Sequence, residues 1–153
     1  MAVIRSEDFV TSVAAALQYI SYYHPVDFIR SLTRAYEREV APAAKDAIAQ
    51  LLINSRMCAE GHRPICQDTG IVTAFVKIGM DAHFEAGSPI LQEMVNEGVR
   101  RAYLDPSNVL RASILADPAG KRQNTRDNTP AVVVVEMVPG ENVEVTVAAK
   151  GGG

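Results

Sequence analysis

The pattern of apolar and polar positions changes character near residue 70. Before it the spacing is helical. Ser6-Glu7-Asp8 is a helix start, and Phe9, Val13, Leu17 and Ile20 then fall on one face, with His24 ahead of Pro25 ending the run. Pro25 suits the first turn of a second helix with Phe28, Ile29, Leu32, Ala35 and Tyr36 on its apolar side, and Pro42 marks its end. A third helix is predicted from about Ala43 to Cys58, with Ala44, Ala47, Ile48, Leu51 and Leu52 inward and Gly61 past its end. All these apolar positions are expected in the core.

After Gly70 the β-formers dominate. Ile71 to Met80 reads as a strand following a turn at Asp68-Thr69-Gly70. Ser88 or Pro89 opens another helix, in which Ile90, Leu91, Met94, Val95, Val99 and Tyr103 form a stripe, and Asp105-Pro106-Ser107 breaks it. Val109 to Leu115 is a short predicted strand. Residues 116–130 form a long polar stretch with Lys121, Arg122, Arg126 and Asp127, of the kind that is functional, mobile or simply solvated. Ala131 to Val138 and Asn142 to Ala149 then read as a hairpin closed at Pro139-Gly140-Glu141, with Val143, Val145 and Val147 alternating with polar neighbours. The expected class is α+β in a single domain over 1–153: helices first, then a small, mainly antiparallel sheet with a packed helix.

Composition narrows the function. With 153 residues, 48% of them hydrophobic, the chain can bury a real core, and a formal net charge of -3 offers no broad basic surface for nucleic acid. No apolar run reaches the length of a membrane span, and residues 1–7 do not read as a signal peptide, so a cytoplasmic protein, or an organellar one already processed, is expected. Cys58 and Cys66 are the only cysteines and do not make a disulfide framework.

Three clusters could carry chemistry. In Arg63-Pro64-Ile65-Cys66-Gln67-Asp68-Thr69-Gly70 a thiol, an amide and a carboxylate share one helix-to-strand connection, where Arg63 would favour a thiolate and Asp68 could act as acid or base. A turn without function would carry similar residues. His24, His62 and His83 lie in no recognisable nucleophile context, and two cysteines eight positions apart make no zinc spacing. The second cluster is Asn124 to Pro130. In the third, Lys150-Gly151-Gly152-Gly153, main-chain amides and a lysine could approach an anion, although neither a dinucleotide nor a phosphate-loop spacing is met.

Taken in order, Arg-Pro-Ile-Cys-Gln-Asp-Thr-Gly at 63–70, Leu-Arg-Ala-Ser at 110–113, Asn-Thr-x-x-Asn-Thr-Pro-Ala at 124–131 and Ala-Lys-Gly-Gly-Gly at 149–153 resemble the class I, iron-sulfur-dependent fumarate hydratases. Tartrate dehydratase α subunits share the pattern, and the stretch 16–60 looks more like the fumarase form. The resemblance implies a hydro-lyase converting (S)-malate to fumarate and water, with a [4Fe-4S] cluster held by three cysteines and one iron open as Lewis acid. Cys66 matches the first cluster ligand, whereas Cys58 matches none. By the same resemblance Gln67 and Arg111 bind substrate, Asp68 binds it or moves a proton, and Gly152 or Gly153 offers a main-chain contact.

One matching cysteine cannot complete such a cluster. The chain is therefore expected to be an N-terminal fragment, free of cluster and inactive alone. Its partners would be a C4 dicarboxylate, the missing C-terminal part or a β subunit, and further copies in a homo-oligomer, in the simplest case a dimer. A non-catalytic module that binds an anion or a partner through its sheet and the 116–130 loop is the alternative of a different class.

Overall fold

A computed structural model describes residues 2–151. The α+β class holds: four helices and five strands run in the order β1(Ala2–Ile4), α1(Ser6–Tyr22), α2(Val26–Arg38), α3(Pro42–Gly61), β2(Ile71–Gly79), β3(Ala82–Phe84), α4(Leu91–Tyr103), β4(Val132–Val138) and β5(Val143–Lys150). They make two compact units, one comprising the chain up to Gln18 together with the chain from Gln67, the other Tyr19–Cys66.

In the first unit β2 is the central strand of three. Its buried side chains Val72, Ala74 and Val76 alternate with exposed or half-buried ones, as a strand with one covered face requires. β4 lies parallel on one side, from Thr73↔Val132 to Gly79↔Val138, and β5 antiparallel on the other, from Ile71↔Lys150 to Ile78↔Val143. The predicted hairpin is therefore not formed. β4 and β5 are consecutive in sequence and oppositely directed, but β2 lies between them and makes the sheet mixed. Alternation fixes which side chains face inward without naming the neighbouring strand. The short β1 and β3 pair parallel in a sheet of their own.

The core of this unit joins Phe9, Val13 and Leu17 of α1 to Met94, Val95, Val99 and Tyr103 of α4 and to the inner face of β2. Burying each aliphatic side chain contributes roughly 1.5–3 kcal/mol. The helices come close because Gly98 has no side chain: a Cβ there would stand 2.7 Å from Val13 Cβ. Phe9 meets Phe84 edge to face at 5.6 Å between centroids. The predicted strand over 109–115 is absent, leaving a single bridge from Leu115 to Asn124.

In the second unit the helices form as predicted, with shifted ends. α2 stops at Arg38 rather than at Pro42, and Pro42 opens α3, where its missing N–H costs nothing. His62, in the left-handed region at φ 48°, caps α3 by donating its N–H to the Cys58 carbonyl. Burial departs from expectation. No residue of α2 is buried, Phe28 is 43% exposed and Leu51 of α3 is 54% exposed, so the apolar stripes find only part of their cover within these residues.

Candidate functional site

Four segments of the first unit converge beside the start of β2. The first is the turn Gln67–Gly70, bent by Gly70 at φ 74°. A Cβ on Gly70 would stand 2.4 Å from the Lys150 carbonyl carbon, so this glycine lets the end of β5 lie directly on the turn. A Cβ on Gly151 would stand 3.0 Å from Asp68 Oδ2, so the residue after β5 also approaches the carboxylate closely. The aspartate turn and the lysine-glycine motif, some eighty residues apart in sequence, are thus neighbours in space.

The third segment, 110–115, is irregular and held by hydrogen bonds to its neighbours. Thr69 donates its hydroxyl to the Arg111 carbonyl. Ser113 donates its hydroxyl to Asp68 Oδ1 at 3.4 Å, and the Gly70 N–H donates to the same oxygen at 3.1 Å. The fourth segment, 124–130, is folded by short-range asparagine and aspartate contacts. Asn124 accepts from the Arg126 N–H at 2.7 Å and donates to the Ala112 carbonyl at 2.8 Å. Asp127 accepts from the Thr129 N–H and hydroxyl at 3.0 and 2.8 Å and from Arg100 at 3.1 Å. Burial pushes the Asp127 carboxyl up, but these donors outweigh it and hold it below the usual carboxylate range.

The segments enclose an open cavity of about 500 Å³. Gln67, Asp68 and Arg111 line it together, joined by Ser113, Asn124 and Lys150. Sequence reasoning gave Lys150 no more than a positive charge near an anion, and it assigned Ser113 and Asn124 no role although both stand inside the quoted motifs. The wall carries two cations and one carboxylate, an arrangement suited to a small ligand with more than one negative group. Gly152 and Gly153 lie outside the described residues.

Beneath the turn, Tyr103 is 1% exposed and donates its hydroxyl to the Thr69 carbonyl at 2.7 Å. Burial pushes its phenol above the ordinary value; the Asp68 charge adds to this and the hydrogen bond opposes it.

Cys66 closes the second unit, is exposed and is bonded in sequence to Gln67. Cys58 is buried on α3, with its thiol donating to Asn54 Oδ1 at 3.7 Å and the Pro64 carbonyl at 3.6 Å. Among the described residues no group of three His, Cys, Asp or Glu side chains could hold a metal ion. Of the two cysteines, Cys66 is the exposed one, and a single exposed thiol among the described residues falls short of the ligands an iron-sulfur cluster needs. No described helix is long and apolar enough to cross a membrane.

A family model described as fumarate hydratase (Fumerase) matches residues 10–153. A putative L(+)-tartrate dehydratase subunit alpha of Methanocaldococcus jannaschii is 32% identical over 80 residues, 52% of this chain and 28% of the relative. The anaerobic class I fumarate hydratase of Escherichia coli is 30% identical over 140 residues, 86% of this chain and 24% of the relative. An L(+)-tartrate dehydratase subunit alpha of Escherichia coli O157:H7 is 26% identical over 144 residues, 92% of this chain and 46% of the relative. The chain thus spans between about a quarter and about half of the length of these relatives. With the model matching nearly all of its residues, the chain belongs to the fumarate hydratase (Fumerase) family.

Proposed function

We propose that residues 1–153 are part of the N-terminal domain of a larger hydro-lyase that interconverts (S)-malate and fumarate, and that they are inactive alone. The observation that carries this reading is the single cavity lined by Gln67, Asp68, Arg111 and Lys150. Arg111 and Lys150 would hold the carboxylates of a C4 diacid, and the Gln67 amide would donate to one of them. Dehydration removes a proton next to a carboxylate, so negative charge grows on that group in the transition state. Fixed cations lower the barrier by stabilising it.

Asp68 is the group we assign to proton transfer. Its Oδ1 is held by the Gly70 N–H and the Ser113 hydroxyl, which fixes the carboxylate's orientation. Cys66 would supply one thiolate to a [4Fe-4S] cluster, with the others coming from polypeptide beyond these residues. When bound, the cluster supplies an electrophilic iron for the departing hydroxyl. Gly152 or Gly153 would add a main-chain contact to substrate, and the working protein would be a cytoplasmic homo-oligomer.

A second reading, the α subunit of a tartrate dehydratase completed by a β subunit, is favoured by the 32% identity to the archaeal relative. Anaerobic cluster reconstitution of the complete protein, wild type beside Cys66→Ser, followed by turnover of fumarate, malate and tartrate, decides between them. Malate and fumarate turnover that disappears in Cys66→Ser is the expected result. Turnover of tartrate alone moves the assignment to the relative, and full activity of the variant refutes the role of Cys66.

A further inference from the structure

Asn128 is a polar residue of the 124–130 segment, yet it is fully buried, at 0% exposure, with its backbone in the left-handed region at φ 63°. Its side-chain amide is used at both ends. Oδ1 accepts the Ser113 N–H at 2.7 Å, and Nδ2 donates to the Gly70 carbonyl at 2.9 Å. One planar group thereby ties the segment that carries Arg111 to the turn that carries Asp68. It does not itself line the cavity.

We propose that Asn128 is a positioning residue, whose amide sets the spacing between Arg111 and Asp68 so that both address one dicarboxylate. The proposal rests on the hydro-lyase reading. The chemistry requires asparagine in particular. The site needs a donor and an acceptor on one short rigid group, and the backbone needs a residue that tolerates positive φ. Aspartate keeps the shape and the acceptor but sets a second acceptor against the Gly70 carbonyl. Glycine keeps the backbone and loses both contacts.

The two fixed segments also contact each other, because Thr69 donates to the Arg111 carbonyl and Tyr103 donates to the Thr69 carbonyl from below. These bonds hold the Arg111 carbonyl and the Thr69 carbonyl, and the Tyr103 hydroxyl also lies 3.4 Å from the Gly70 carbonyl, but none of them reaches the Ser113 main chain. The Asp68 carboxylate bridges Gly70 and Ser113 from within the site, through the Gly70 N–H and the Ser113 hydroxyl, whereas Asn128 bridges the same two residues from behind it, through the Gly70 carbonyl and the Ser113 N–H.

The test uses the complete protein with Asn128→Gly and Asn128→Asp beside wild type. Melting temperature, peptide-resolved amide exchange over 67–70 and 111–115 compared with β2, and KM and kcat for malate are measured. In Asn128→Gly we expect β2 to stay protected, segment 111–115 to exchange faster, and KM to rise by about tenfold or more, because small displacements of binding groups are costly. Asn128→Asp, which keeps the Ser113 contact, is expected to raise KM with protection at 111–115 largely retained.

Wild-type KM in Asn128→Gly with unchanged exchange at 111–115 overturns the proposal. So does loss of protection throughout the unit in both variants, which would assign Asn128 to the fold alone. If the wild type turns over neither malate nor tartrate, the hydro-lyase reading is what fails, and exchange over 111–115 still decides whether the amide ties the two segments.

Discussion

Gly70→Ala should be among the most damaging single-methyl changes in the first unit, and its cost can be built from two parts. Gly70 holds φ 74°, where an L side chain costs about 1–2 kcal/mol. The added Cβ would also stand 2.4 Å from the Lys150 carbonyl carbon and 2.6 Å from both the Lys150 oxygen and the Gly151 nitrogen. Backbone cannot rotate away, so overpacking adds about 1–3 kcal/mol. The sum is about 2–5 kcal/mol, and the end pair Ile71↔Lys150 is the contact that must give. Gly87→Ala is the control, because Gly87 has φ 84° with nothing within 4 Å of a Cβ. It should lose only the conformational part, about 1–2 kcal/mol. Urea unfolding followed by far-UV circular dichroism reads both. Equal losses in the two variants would refute the close approach of the turn to the end of β5, and a Gly70→Ala variant as stable as wild type would refute the turn geometry itself.

Two further outcomes follow from single side chains. The Tyr103 phenol is raised above its ordinary value, so its contribution is complete below the unfolded pKa of about 10 and is lost as pH rises through the folded value. Tyr103→Phe should lower stability near neutral pH by about 1–2 kcal/mol and flatten the decline above pH 10, read by urea midpoints across the alkaline range; an unchanged alkaline slope would count against the burial. Iodoacetamide should alkylate exposed Cys66 at least about tenfold faster than buried Cys58 in the native protein, with the rates converging in urea. Peptide mass spectrometry checks this, and equal native rates would contradict the difference in exposure.

Most of the fold was legible wherever periodicity alone decides it. Phe9, Val13 and Leu17 predict α1, Met94, Val95 and Val99 predict α4, and alternation predicts β5, because each pattern reports which side an element buries. What a strand pairs with is a long-range property, which is why Val132–Val138 and Val143–Lys150 read as a hairpin although β2 lies between them. The three-residue β1 and β3 are too short to show a period. In the site, Gln67, Asp68 and Arg111 stood out through the motifs around them, whereas Lys150, Ser113 and Asn124 join them only because four distant segments converge. Asn128 was the hardest to see. A polar residue in a polar loop reads as solvated, and the available signal was an asparagine in a turn-rich stretch, where left-handed backbone is tolerated.

The central place of β2 also bears on how the chain is made. Thr73 pairs with Val132 and Ile71 with Lys150, so at a synthesis rate of about 5–20 residues per second the strand waits several seconds, about 60 residues, for its first neighbour. During that interval Ile71, Val72, Phe75 and Val76 have no sheet to join, and both edges of the strand are open to other chains. Until β4 is made, such a nascent chain exposes an unpaired strand of the kind that aggregates. Recombinant yield should therefore respond to slower translation or lower temperature more than the equilibrium stability of the finished protein would suggest.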